Sequence, residues 1–353
     1  KPKKMSLEIT ANKFFTTIGS NPNTIQAPET TIFFISGNPG LIGYYHPFLS
    51  LLSRYLTSEN IAESENGGTH PSFRIYGCSL GGFEINDTKT KTKCQPNVSD
   101  LDLEDQIRFM QEKLTALMEE QPNFSSVGKK RKVILIGHSV GAYIAMEILR
   151  RHREATASSD PQDEDREEFD IIGGAMLFPT VVDIAASSSG RKLTTLLSII
   201  PRFAAVIGFF ARLLTLLLPT SILRALVRFV MNNPPVHALD ATCSFLESSG
   251  GVRQALHMAA DEMRTITSDK WNDDVWGVAT AHEPLNKLFF YFGRKDHWVA
   301  DQTRDEIIAV RGCEEGRGPT MLVCEEDLPH AFCLKHSDTM ARKTAGMITE
   351  IMG

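Results

Sequence analysis

Short apolar runs and longer amphipathic stretches alternate along most of the chain. Residues 31–35, 133–136 and 171–178 are nearly unbroken apolar or glycine runs, the pattern of strands covered on both faces. Residues 73–76 form a shorter run, and residues 6–18 alternate loosely, as an edge strand does. Between these runs the spacing turns helical. Residues 46–55 read as a helix with Pro47 in its first turn. Residues 101–120 carry Leu101, Ile107, Phe109, Met110, Leu114, Leu117 and Met118 at helical spacing, with Ser99 and Asp100 as candidate caps. The rhythm returns with an aromatic strand at 288–292, a helix at 304–310, a strand at 321–324 and a last helix at 338–352. Strands regularly separated by helices predict an α/β protein with a mostly parallel sheet.

Residues 181–285 break this rhythm. Three apolar helical pieces cover residues 193–230, divided by Pro201 and Pro219, and a further helical stretch is expected at 240–267. The pieces mix Phe203, Phe209, Phe210, Leu213, Leu214 and Leu217 with Arg202, Arg212, Arg224 and Arg228. Apolar residues interleaved with arginine suit a helix lying in a lipid interface, and Arg212 in mid-segment argues against a simple bilayer span. A lid with a greasy face over an active site fits the same pattern. The expected organisation is therefore a core over 1–180, a helical, lipid-facing lid over 181–285, and the rest of the core over 286–353.

Composition narrows the function classes. Hydrophobic residues make up 42% and charged residues 23%, ordinary for a globular protein, and the net charge of -6 gives no electrostatic case for nucleic acid. Six scattered cysteines form no C-x-x-C pair, so neither a zinc site nor a redox motif is expected, and reduced thiols in an intracellular setting are. No signal-peptide pattern precedes or follows Met5. Two glycosylation sequons, at Asn97 and Asn123, carry no weight without one, and the acidic stretch 154–168 reads as a solvated loop. No phosphate-binding glycine loop or metal-ligand spacing is present, so no cofactor is expected.

The strand at 133–136 leads into Gly137-His138-Ser139-Val140-Gly141, and a helical run follows. Strand, G-x-S-x-G, helix is the context of a nucleophile elbow, in which flanking side chains would clash and the serine hydroxyl is exposed at a helix N-terminus. This predicts an α/β-hydrolase fold with a helical apolar lid inserted after the sixth strand. In such a fold the acid and base follow the serine in that order, at the ends of later strands. Asp296 follows strand 288–292 and His330 follows strand 321–324. His330 would act as general base, and Asp296 would orient its ring. Asp183 is the rival acid; His336 and His297 are weaker candidates for the base, and His138 reads as a packing or oxyanion-side neighbour. The loop from Ser36 to Tyr45, with Gly37, Asn38, Pro39 and Gly40, is placed to supply an oxyanion donor from Asn38 beside that of Val140.

These segments together resemble the lipid droplet-associated hydrolase family. The resemblance rests on the Gly37–Gly40 loop followed by Tyr44, Tyr45, Pro47 and Phe48, on residues 103–107, on the elbow through Tyr143, on residues 293–298 and on residues 328–332. It implies Ser139, Asp296 and His330 as a catalytic triad. It also implies a serine esterase acting on a lipophilic ester, neutral lipid or sterol ester, at lipid droplets and the cytosolic side of the endoplasmic reticulum. The surface contact would run through residues 193–230. One departure is the segment Cys78 to Gly82, which lacks the histidine related proteins often carry there. Two other functions fit the same chain: a non-catalytic lipid droplet organising protein, and a hydrolase of a small soluble ester or thioester.

Overall fold

The computed structural model describes residues 7–18, 30–64, 72–85, 100–120, 130–158, 169–278, 286–312 and 318–353. Both sequons, Cys94, Cys313, the polar stretch 86–98 and residues 159–168 of the acidic loop lie outside these residues.

Among the described residues, eight strands form one sheet: β1 (Leu7–Thr10), β2 (Lys13–Ile18), β3 (Thr30–Ile35), β4 (Phe73–Cys78), β5 (Arg131–His138), β6 (Phe169–Leu177), β7 (Lys287–Phe292) and β8 (Thr320–Val323). Their order across the sheet is β1-β2-β4-β3-β5-β6-β7-β8. The β1–β2 and β2–β4 pairs are antiparallel, and every pair from β4 to β8 is parallel. The single edge strand expected over 6–18 is thus a hairpin of two strands. Every residue of β3 and β4 is buried, as unbroken apolar runs in the middle of a parallel sheet require.

Among the described residues, five core helices flank the sheet: α1 (His46–Ser64), α2 (Leu103–Glu119), α3 (Val140–Ser158), α9 (Asp301–Arg311) and α10 (Ser337–Met352). The cap of α2 falls later than Ser99-Asp100. Asp102 accepts from the Asp105 N–H at 2.9 Å while Asp105 accepts from the Asp102 N–H at 3.1 Å, a reciprocal capping box. An aspartate at the third helical position does the work usually given to glutamate.

Between β6 and β7 lie α4 (Ser188–Ile199), α5 (Phe203–Leu217), α6 (Thr220–Val230), α7 (Val236–Glu247) and α8 (Gly251–Thr265). The first three are divided at the expected breaks, α4 ending before Pro201 and α5 before Pro219. The single helix expected over 240–267 is two, interrupted at residues 248–250, where Ser248 Oγ accepts from the Gly251 N–H at 3.0 Å. The stretch around Trp271, Val275 and Trp276 is irregular as expected, yet all three side chains are core. Trp271 Nε1 donates to Glu147 on α3 at 2.7 Å, and Trp276 Nε1 donates to Asp269 at 3.0 Å.

No single helix among the described residues is long and apolar enough to cross a membrane. The pair α4 and α5 passes on length and composition together but is bent by 93°. Among the described residues, 13 of the 17 exposed large apolar side chains fall between Leu196 and Val236, so this surface is concentrated on the insertion rather than scattered. Phe209 is 64% and Phe229 84% exposed.

Candidate active site

Strand register assembles the site. Ile35 at the end of β3 pairs with Gly137, His138 at the end of β5 pairs with Leu177, and Leu177 at the end of β6 pairs with Tyr291. Phe292 then pairs with Val323. The C-terminal ends of five parallel strands therefore stand in a row, and the loops leaving them meet on one edge of the sheet. Main-chain bonds continue the ladder past the strands: the Ser139 N–H donates to Leu177 O at 3.0 Å, and the Cys324 N–H donates to Phe292 O at 2.8 Å.

Ser139 sits at that edge between β5 and α3 with φ of 55°, a left-handed conformation rare outside glycine. The flanking glycines explain how the chain makes so tight a turn. A Cβ on Gly137 would come within 2.4 Å of Gly141 O, and a Cβ on Gly141 within 2.4 Å of Ile35 O. The second clash is with β3, not with the elbow's own strand and helix. Gly141 therefore lets the elbow pack against the neighbouring strand as well as turn.

Ser139 Oγ lies 2.9 Å from His330 Nε2, and His330 Nδ1 lies 2.7 Å from Asp296 Oδ2. The other Asp296 oxygen accepts from the Trp298 N–H at 2.8 Å. Burial works to raise the Asp296 carboxyl, but the hydrogen bond from His330, the charge of that ring and the Trp298 amide outweigh it and hold it below its ordinary value. A carboxylate so held stays ionised and fixes His330 with Nδ1 protonated, leaving Nε2 to accept from the serine hydroxyl.

The other candidates stand apart from this chain of bonds. Asp183 begins a short 3₁₀ turn, with φ of 41°, and Asp296 is the carboxylate bonded to His330. His336 precedes α10, where its N–H donates to Phe332 O at 2.7 Å. The His297 ring lies 5.9 Å from the His330 ring, and its carbonyl accepts from the Ser189 N–H.

Asn38 and Val140 flank the serine from the ends of β3 and β5, and among the described residues neither main-chain N–H donates to an acceptor. The Asn38 side chain is tied to the insertion: its Nδ2 donates to Ala255 O and to Glu262 Oε1, both at 2.9 Å and both on α8. Burial pushes the Glu262 carboxyl up to about 8, against the lowering effect of the Asn38 bond. Nothing in the sequence pattern singles out Glu262; only the fold brings α8 over this loop. The segment from Cys78 to Gly82 supports the same loop without a histidine. The Leu80 N–H donates to Gly40 O at 2.8 Å, and Ser79 Oγ accepts from the Ile42 N–H at 3.2 Å.

The apolar residues expected to face lipid are placed outward. Phe209, Phe210, Leu213, Leu214 and Leu217 are exposed and Phe203 is half-buried, while α5 packs its inner side on α8 and α7. The arginines divide. Arg224 pairs with Asp240 at 2.7 Å and Arg212 donates to Glu247 O at 3.2 Å, both on α7, whereas Arg202 and Arg228 are exposed.

A cavity of about 570 Å³ beside α2, α3 and α8 includes none of the Ser139 group, and its Arg150, Arg151, Glu104, Glu147 and Glu154 pair with one another. No cluster of three or more His, Cys, Asp or Glu side chains among the described residues could hold a metal ion.

A mostly parallel eight-stranded sheet with a serine elbow after β5 and loops converging at its strand ends defines an α/β-hydrolase fold. Solved structures agree on the fold: a haloalkane dehalogenase from Bradyrhizobium elkani matches at TM-score 0.55 and 14% identity, over 99% of each chain. A putative ancestral haloalkane dehalogenase matches at TM-score 0.52 and 13% identity, also over 99% of each chain. The family model for lipid-droplet associated hydrolase matches residues 28–333, and the chain belongs to that family. Relatives named lipid droplet-associated hydrolase include that of Gallus gallus, 29% identical over 94% of this chain and 87% of its own length. Those of Homo sapiens (27%; 93% and 87%) and Drosophila melanogaster (24%; 93% and 91%) match over a similar extent.

Proposed function

We propose that the protein is a serine esterase that cleaves a lipophilic carboxylic ester at a lipid droplet or membrane surface. The observation that carries this reading is the continuous bond chain from Ser139 Oγ through His330 to Asp296. Attack by Ser139 on the ester carbonyl passes the hydroxyl proton to His330 Nε2. The amides of Asn38 and Val140 stabilise the oxyanion of the tetrahedral intermediate. His330 then returns the proton to the leaving alcohol as the acyl-enzyme forms. Water, deprotonated by the same imidazole, releases the acid and restores Ser139. Asp296 keeps the ring oriented and offsets its positive charge.

The choice of a lipophilic substrate rests on the insertion. Its outward side chains, among them Phe209, Phe210, Leu217, Phe229 and Val230, are left exposed by the described residues, and an apolar interface satisfies them. Lipid droplets and the cytosolic face of the endoplasmic reticulum present such an interface, and neutral lipid or sterol ester is the substrate class found there.

Hydrolysis of an acyl-chain-length series, with and without lipid emulsion, tests both parts. Wild type is expected to favour long chains and to gain rate with emulsion, and Ser139→Ala to lose turnover in both settings. Equal hydrolysis by the two proteins would overturn the serine mechanism, and a rate indifferent to emulsion would overturn the interfacial part.

A further inference from the structure

Beside the serine, a second chain of buried hydrogen bonds joins three loops that the reaction must keep in register. Tyr45, in the turn Ile42–Tyr45 before α1, accepts from the Gly37 N–H at 3.2 Å. Its hydroxyl lies 2.7 Å from His138 Nδ1. The other ring nitrogen, His138 Nε2, lies 2.9 Å from the main-chain oxygen of His330. His138 immediately precedes Ser139 at the end of β5, and Gly37 immediately precedes Asn38.

The chemistry of the end groups fixes the direction of every bond. A carbonyl oxygen can only accept, so His138 Nε2 carries a proton and donates to His330 O. Burial, reinforced by the neighbouring His330, drives the His138 ring down to about 3, so it is neutral and its Nδ1 bears a lone pair. The Tyr45 hydroxyl therefore donates to Nδ1 and uses its oxygen to accept from Gly37. Burial also raises Tyr45 well above its ordinary value, and Cys333 beside it, pushed up to about 12, stays a thiol. Neither group removes the hydroxyl proton.

We infer that Tyr45 and His138 are positioning residues, forming a relay from Gly37 through Tyr45 and His138 to the His330 carbonyl that holds the oxyanion loop, the elbow and the base in catalytic register. The inference rests on the serine esterase reading. The relay touches neither the substrate nor the proton in flight. It acts on the main chain at Gly37, which aims the Asn38 amide, and at His330, which sets the ring against Ser139. Phe332 and Phe178 close the surroundings of His138, with ring centroids 4.9 and 6.2 Å away, so water cannot readily replace a lost partner. A buried bond left unmade is then felt in full.

The test compares wild type with Tyr45→Phe, His138→Leu and His138→Gln in the full chain. The readouts are the rate of inactivation by a fluorophosphonate, turnover of p-nitrophenyl butyrate, and the melting midpoint. Tyr45→Phe and His138→Leu are expected to lower the inactivation rate and kcat on the order of 10-fold, with KM within about 2-fold and the melting midpoint lower by only a few degrees, so that both variants are fully folded at the assay temperature. His138→Gln keeps a donor at the position of Nε2 and is expected to recover several-fold over His138→Leu. The double variant Tyr45→Phe/His138→Leu should fall no further than about 2-fold below His138→Leu, because one chain is already cut. Inactivation and kcat at wild-type values in both single variants, or losses that simply multiply in the double variant, overturn the relay. If wild type itself neither reacts with the probe nor turns over ester, the esterase reading fails, and the relay is judged by nitrogen NMR of ¹⁵N-histidine protein. His138 is expected as the neutral ring protonated at Nε2 from pH 5 to 8. An Nδ1-protonated or charged ring overturns it.

Discussion

Strand β5 and helix α5 are both strongly apolar stretches, and the fold treats them oppositely. In β5 seven of eight residues are buried, between β3 and β6 within the sheet and beneath helices on its faces. In α5 none of the 15 residues is buried. The difference lies in the number of sides that find a partner. A central strand has two hydrogen-bonded neighbours and two covered faces, whereas α5 rests one side on α7 and α8 and turns the other outward. Apolar composition favours removal from water in both, but only β5 achieves it within the chain. The stretch that is satisfied internally holds the chemistry still, and the one left unsatisfied is available to a surface.

The largest expected effect breaks the rigid side of this comparison at one atom. Asp296→Asn keeps an acceptor for the Trp298 N–H but removes the charge that fixes His330, and should lower kcat on the order of 10⁴-fold with the melting midpoint preserved. A loss under about 10-fold in ester turnover would transfer the role of acid to another carboxylate, Asp183 first.

Next comes stability. Phe290, fully buried in β7, should cost about 3–5 kcal/mol when replaced by alanine, whereas Phe209→Ala should change unfolding by less than about 0.5 kcal/mol. Urea unfolding of the two variants measures the contrast directly. Similar losses would mean that the outer side of α5 is packed in solution, for instance against a second copy of the chain.

A smaller effect concerns the surface itself. Replacing Phe209 and Phe210 together by aspartate should weaken partitioning onto a neutral-lipid emulsion by about 100-fold, the scale of withdrawing two aromatic side chains from an apolar phase. Flotation assays follow it, and unchanged binding would move the docking surface off α5.

The remaining effect depends on pH and concerns the contact between the two regions. The Glu262 carboxyl, raised by burial from an ordinary 4.5 to about 8, keeps its proton in the folded chain across a window where the unfolded chain has released it. Stability therefore falls as pH rises from about 4.5 to 8 and levels off above that. Glu262→Gln should remove this slope and gain a few degrees in melting midpoint at pH 8 relative to wild type. Parallel curves for the two proteins from pH 5 to 8 would show that Glu262 is already ionised.

Much of the fold was legible from local pattern. The unbroken runs of β3 and β5 announce two-sided burial, and G-x-S-x-G between an apolar run and a helix announces a turn that only glycine neighbours permit. The order of Ser139, Asp296 and His330 could be proposed because each follows a strand-like run. What local pattern missed has a common physical cause. The split of residues 6–18 into a hairpin and the break at 248–250 depend on which neighbour each segment meets. The buried Trp271 and Trp276 sit in irregular chain, where no periodicity marks a core position. The outward face of α5 was expected, although its composition also fitted an inward-facing lid, and only packing on α7 and α8 chose between them.

The sequence by itself determined most of the strands and helices in their order, the elbow and the candidates for acid and base, because these follow from steric limits and hydrophobic period over a few residues. Only the tertiary structure decided that Asp296 rather than Asp183 reaches His330. It alone decided that Tyr45 and Glu262, 217 positions apart, both brace the Gly37–Asn38 loop, and that α5 faces outward. These outcomes depend on the register of parallel strands and the docking of helices distant in the chain, and no short-range preference encodes them.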